Sequence, residues 1–241
     1  METMDIDDLI WKVNHHTPCL DNKTMNRLTD LITFIIANAE HHFAKNQTEK
    51  IILAILTSSM WHKGYYRKDE RTPYIVHPLE LVELLFELGL FDYKLTVASI
   101  YHDNVEDEHD KHKRYRKRQF ITKNSGPTIR DIVELVTKSK RPHEKALFFI
   151  RIHAEKRPAI AMRGCVLKLA DCTKNTETFS VFEGEHLKRK VIEVIKEYPL
   201  LAKKAYQSIR KLSTSHQKKK FLHILVKELL ERIMKNISIH E

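Results

Sequence analysis

The chain is predicted to be all-α, and three observations carry that prediction. Its 241 residues include only 5 glycines and 7 prolines, which disfavours a fold of many short strands and turns. Leu, Ile, Lys and Glu recur at spacings of three and four, the period of a helix face. Hydrophobic residues make up 42% of the chain, enough for one sizeable core with a helical appendage.

The elements follow in order. Residues 5–44 hold amphipathic stretches, among them Leu28, Leu31, Ile32, Ile35 and Ile36, before the polar break Lys45-Asn46-Gln47-Thr48. Residues 1–44 therefore read as an N-terminal helical extension, and 45–241 as the main domain with C-terminal helices. A helix through Ile51, Ile52, Ala54, Ile55 and Leu56 runs towards Trp61-His62, and the polar "YYRKDERTPYIVHP" after it is loop or extended. Pro78 suits the first position of the next helix, Leu79 to Leu88, which Gly89 stops. His77 then sits at a stiff helix entrance, since a residue before proline has few backbone choices.

From about Lys94 another helix carries "YHDNVED", residues 101–107. The basic run from Lys111 to Arg118 reads as a solvated loop, and Ser125-Gly126-Pro127 as a turn before a helix through Ile129, Ile132, Val133 and Val136. Residues 139–144 are loop-like. A helix through Val166, Leu167, Leu169 and Ala170 bears Asp171, and basic amphipathic helices follow, broken near Ser213-Thr214-Ser215.

No apolar run reaches the roughly 18 residues of a membrane span, and Met1 to Asp8 is acidic rather than basic and then apolar. Neither membrane insertion nor secretion is expected. Cys19, Cys165 and Cys172 are odd in number and show no paired spacing, which fits a reducing cytoplasm. The net charge of +10 attracts anions, whether nucleic acid, acidic lipid or a phosphorylated small molecule. Charge does not choose among them, and the oligomeric state is not legible.

On a helix, residues four apart share a face, so His102 pairs with Glu106 and Asp103 with Asp107. Taken alone, His102-Asp103 is equally an inert solvated helix end. Asp171 changes the balance. It follows the apolar "CVLKLA", where an unpaired carboxylate costs a few kcal/mol or more unless hydrogen-bonded, protonated or bound to a cation. Asn175 lies one turn later, and His77 offers a second imidazole from a separate element. Two imidazoles and two carboxylates suit a borderline divalent ion such as Mn²⁺, Fe²⁺ or Zn²⁺. Near such an ion, Glu106 and Asp107 are candidates to take the proton of an attacking water.

The stretches "MWHKGYYRKDERTPYIVHP", "HDNVED", "VELVTK" and "KLADCTKN" resemble, in order and spacing over about residues 50–185, the hydrolase domain of RelA/SpoT-type alarmone enzymes, within the HD-domain superfamily. With no synthetase-like segment after them here, the chain is similar to the stand-alone small alarmone hydrolases. The resemblance implies a helical HD-domain bundle in which His77, His102, Asp103 and Asp171 bind one Mn²⁺, and in which Glu106 and Asp107 position and deprotonate water. It implies that Arg67 and Lys68 contact the base and that Asn175 and Thr178 line the nucleoside pocket. The implied reaction removes pyrophosphate from the 3′ position of guanosine tetra- or pentaphosphate, giving GDP or GTP.

The sequence departs from that family at Asp69-Glu70-Arg71, where a glycine and one residue fewer are usual, and at Cys172 and Glu177, where basic residues are common. Lys174, Lys168 or the loop are the candidates to make up the lost positive charge. Lys138 has two readings, a phosphate contact or a helix-end lysine satisfying the last carbonyls. The Lys111–Arg118 run has three: an inert loop, a clamp on substrate phosphates, or a patch for nucleic acid, the last not favoured. His15-His16 and His41-His42 are expected at the surface. Two other functions stay open: an HD-fold phosphohydrolase for another nucleotide, such as an adenosine alarmone or the 2′-phosphate of NADPH, and a catalytically silent nucleotide- or nucleic-acid-binding protein.

Overall fold

The computed structural model describes residues 4–17, 21–138, 144–179 and 182–239, and every regular element among them is a helix. The all-α expectation holds. Extended pairing among the described residues is confined to the bridge between Tyr66 and Pro73. The loop expected at 139–144 falls outside the described residues up to 143, as does Cys19. Cys165 and Cys172 are buried free thiols. No described helix is long and apolar enough to cross a membrane.

The chain divides into two compact units, Met1–Glu134 and Leu135–Glu241. In the first lie α1 (Ile6–His16), α2 (Asn22–His42), α3 (Lys45–Trp61), α4 (Val76–Glu87), α5 (Tyr93–Glu106) and α6 (Lys111–Ser125). The unit boundary falls within α7 (Pro127–Val136), and the second unit holds α8 (Glu144–Ala154), α9 (Pro158–Thr176), α10 (Gly184–Arg210) and α11 (His216–Ser238).

Each unit is built around one helix buried on nearly all sides. In the first it is α5, buried without interruption from Leu95 to Val105 and packed by α3, α4 and α6. Its start is fixed by Asp92, whose carboxylate accepts from the Leu95 N–H at 3.0 Å, one of the orphan donors of a first turn. In the second it is α9, buried from Gly164 to Thr173 and packed by α8, α10 and α11. A helix apolar all round has to be central, whereas α2, with Leu28, Leu31, Ile32, Ile35 and Ile36 on one stripe, covers a flank.

Three expectations are corrected. The polar run Lys45-Asn46-Gln47-Thr48 is no break but the first turn of α3; the chain turns at Phe43-Ala44, and Thr48 sends its hydroxyl back to the Ala39 carbonyl at 3.1 Å. First-turn N–H groups need no intrahelical acceptor, so a polar sequence is at home there. The helix bearing Pro78 starts two residues earlier than expected, at Val76, and proline is tolerated inside because that first turn needs no donor from it. The run from Lys111 to Arg118 is not a loop but the body of α6. Asp110 caps it by accepting from the N–H groups of His112 at 2.7 Å and Lys113 at 3.0 Å. Ile121 is buried, Phe120 packs edge-on to Trp61, and Gly126 ends the helix at φ 98°.

Candidate metal centre

In the first unit, the opening turn of α4 and the last turns of α5 bring His77, His102 and Asp103 together. All three are buried. His102 Nε2 lies 2.9 Å from one Asp103 oxygen, and His77 Nε2 lies 3.7 Å from the other. The two rings stand 5.6 Å apart. His102 Nδ1 is 2.8 Å from the Ser99 carbonyl, an acceptor only, so in the neutral ring the proton belongs on Nδ1 and the Nε2 lone pair faces the carboxylate. Two electron-rich atoms at that distance call for a positive charge, either a second ring proton or a cation. The donor types and the backbone partner of the imidazole fit a divalent ion with its usual supporting hydrogen bonds.

A second layer orients Asp103. The Tyr74 hydroxyl donates to its Oδ2 at 3.0 Å, and His62 stacks on the Tyr74 ring at 4.7 Å. Burial pushes the His62 pKa down to about 4; the Asp103 charge opposes this, and Lys117, His102 and His77 add to it. His62 is therefore a neutral ring at pH 7. Neither Tyr74 nor His62 stood out in the sequence. The available signal was Tyr74 three residues before His77 in the same stiff "TPYIVHP" stretch.

Glu106 and Asp107, the candidate proton acceptors, are half-buried at the end of α5, where the Asp107 N–H donates to the Asp103 carbonyl at 2.8 Å. They lie one turn beyond the histidine and aspartate, roughly 6 Å along the axis. Arg67 sits in the loop closed by the Tyr66 and Pro73 bridge, and its guanidinium pairs with Glu80 on α4 at 3.3 Å. Glu80 is 3.7 Å from Arg27 of α2, which also donates to Glu83 at 2.8 Å. Lys68 is exposed. The loop turns around Asp69, which accepts from the N–H groups of Arg71 and Thr72 and from the Thr72 hydroxyl. Glu70 takes φ 58° there, the left-handed region where glycine is the easier residue.

In the second unit, Asp171 is buried in the middle of α9's interior face. Lys168, itself buried, donates to one carboxylate oxygen at 2.7 Å, and Asn175 donates to the other at 2.6 Å. The sequence had suggested Lys168 as a compensating cation; the structure shows it as the partner of Asp171. Lys174 pairs with Glu177 at 3.0 Å, and the exposed Thr178 donates its hydroxyl to the Asn175 carbonyl at 3.0 Å. Lys138 holds its ammonium 4.9 Å from the centre of the Phe148 ring. Cys172, where a cation was expected, points inward: burial raises its thiol pKa, and Tyr198 hydrogen-bonds to it. As residue types, the buried His77, His102 and Asp171 make up a nitrogen and oxygen donor set suited to a divalent metal.

Comparison with known proteins shows what the chain is similar to. The family profile described as HD domain matches residues 54–205. The guanosine-3′,5′-bis(diphosphate) 3′-pyrophosphohydrolase MESH1 of Xenopus tropicalis is 35% identical over 112 residues, which is 46% of this chain and 58% of that protein. A GTP pyrophosphokinase of Streptomyces coelicolor is 28% identical over 183 residues, 73% of this chain and 20% of its own length. A guanosine-3′,5′-bis(diphosphate) 3′-pyrophosphohydrolase of Borreliella burgdorferi is 26% identical over 189 residues, 77% of this chain and 27% of its own length. The chain thus spans a fifth to a little over half of these relatives.

Proposed function

On the premise that this chain belongs to the HD-domain family, we propose that it is a metal-dependent phosphohydrolase that removes pyrophosphate from the 3′ position of guanosine tetra- or pentaphosphate. The observation that carries the proposal is the buried His77, His102 and Asp103 cluster, where two ring nitrogens lie 2.9 and 3.7 Å from the carboxylate oxygens. The names of the three relatives, two of them guanosine-3′,5′-bis(diphosphate) 3′-pyrophosphohydrolases and the third a GTP pyrophosphokinase, support the choice of substrate.

In this reading Asp171 completes the ligand set, one Mn²⁺ is bound per chain, and another divalent transition metal is an acceptable substitute. When bound, such an ion polarises a phosphoryl oxygen and brings the pKa of water from about 15.7 towards 7. Glu106 and Asp107 hold the attacking water in line and accept its proton. Tyr74 keeps the Asp103 carboxylate from rotating. Arg67 and Lys68 meet the base, Asn175 and Thr178 the nucleoside, and Lys138 and Lys174 the phosphates.

Lys174 is engaged with Glu177 and Cys172 faces the interior, so the second unit offers fewer cations for phosphate than the RelA/SpoT pattern would. Discrimination between guanosine and adenosine is therefore part of the test. The experiment is pyrophosphate release by the purified protein with Mn²⁺ on guanosine and adenosine 3′-pyrophosphates. Release that is lost in Asp103→Asn is expected, and absence of release from every 3′-pyrophosphorylated nucleotide defeats the proposal.

A further inference from the structure

Helix α6 carries "KHKRYRKR", and the structure sorts these cations into two classes. Three point inward and are used by the protein itself. Arg114 donates to the Glu108 carbonyl at 2.9 Å. Lys117 donates to the Asn104 carbonyl at 3.0 Å and pairs with Glu108 at 3.0 Å. Arg118 pairs with Glu134. With Ile121 they form the packed side of the helix. Lys111, Lys113, Arg116 and Lys123 are exposed and make no ion pair or side-chain hydrogen bond among the described residues.

At 100° per residue, His112, Arg116, Gln119 and Lys123 fall within about 60° of one another on the opposite side, with Lys113 and Lys111 flanking them. Tyr115 stands beside this stripe with 59% of its surface exposed, although a tyrosine so placed gains nothing from the core. The nearest acid on the helix, Asp110, is occupied as its cap. From Lys111 to Lys123 the stripe extends about 18 Å, room for several consecutive phosphates of one strand.

We infer that the outer face of α6 binds the backbone of a single-stranded polynucleotide, its lysines and arginine neutralising phosphates and Tyr115 stacking on a base. Charge complementarity favours a polyanion over an apolar partner, and the lone exposed aromatic favours unpaired bases over a duplex. The inference does not depend on the hydrolase reading, because none of these residues belongs to the proposed site.

The test is fluorescence anisotropy of a labelled 20-nucleotide oligouridine with the full-length protein, titrated across salt concentrations. Four neutralised phosphates give log K falling against log salt with a slope of about −3, and the Lys113→Gln, Arg116→Gln, Lys123→Gln triple variant brings it to about −1. Tyr115→Ala is expected to weaken the single strand about tenfold and leave a duplex of the same length unchanged. Circular dichroism confirms that the variants fold. Undetectable binding at about 50 mM salt overturns the inference, as does unchanged affinity in the triple variant. Equal capture of anionic vesicles with no effect of Tyr115→Ala also overturns it, pointing to a lipid surface. A raised Michaelis constant in a triple variant whose parent binds no oligonucleotide assigns the stripe to substrate instead.

Discussion

Asp103 and Asp171 are two aspartates on the central helices of two different units, with side-chain exposures of 11% and 10%. Burial does not distinguish them, yet their neighbours do. Asp103 faces two imidazole nitrogens and a tyrosine hydroxyl. Asp171 is held by an ammonium and an amide, so its charge is already balanced inside its own unit. The difference teaches that two equally buried carboxylates are held differently, one among imidazoles and a hydroxyl and the other by a cation and an amide of its own helix.

The largest expected effect separates the two most sharply. Asp103→Asn is expected to remove bound Mn²⁺, measured by elemental analysis, and to bring turnover to background; full activity in that variant would refute its role as a ligand. Lys168→Met comes next. It strips Asp171 of its counter-ion and should destabilise the metal-free protein by about 3–5 kcal/mol, the usual consequence of breaking a buried pair. Urea unfolding reads this directly, and added Mn²⁺ should restore more stability to this variant than to the parent.

The third effect concerns the ring behind Tyr74. His62 titrates at about 4 in the folded chain against 6.5 in an ordinary environment, so between those values the unfolded chain binds more protons. Stability of the metal-free protein is therefore present in full above pH 6.5 and falls as the pH drops towards 4, by up to about 3 kcal/mol. Urea midpoints at pH 7.5 and 5.0 measure the loss, and His62→Gln should flatten it. Smallest is Tyr74→Phe, which deletes one hydrogen bond to Asp103. A loss of about 1 kcal/mol is expected, read as roughly fivefold weaker Mn²⁺ binding, while the same measurement on Asn175→Ala tests whether Asp171 tolerates a lost neighbour better.

Much of this arrangement was legible in the sequence. The apolar runs before His102 and Asp171 announced central helices, because continuous burial leaves no polar stripe. The partners of the two aspartates were less legible. Lys168 reads as a cation for substrate phosphate until a three-residue helical offset brings its ammonium onto Asp171. His62 and Tyr74 meet through ring stacking, for which one-dimensional spacing gives no sign. The basic run reads as a loop because its charges overwhelm any periodicity; the signals for a helix are Asp110 before it and Gly126 after it, which are local and resemble ordinary turn residues.

The Tyr66 and Pro73 bridge has an engineering consequence. It closes the loop at its neck, with the backbone pairs Arg67 to Thr72 and Tyr74 to Tyr65 on either side, so the tip around Asp69 and Glu70 is mechanically insulated from His77. Tips of other lengths can be grafted above this neck at little entropic expense, since closure grows only slowly with length. On the proposed reading, transplanting that tip retunes ligand preference while His77 stays in register.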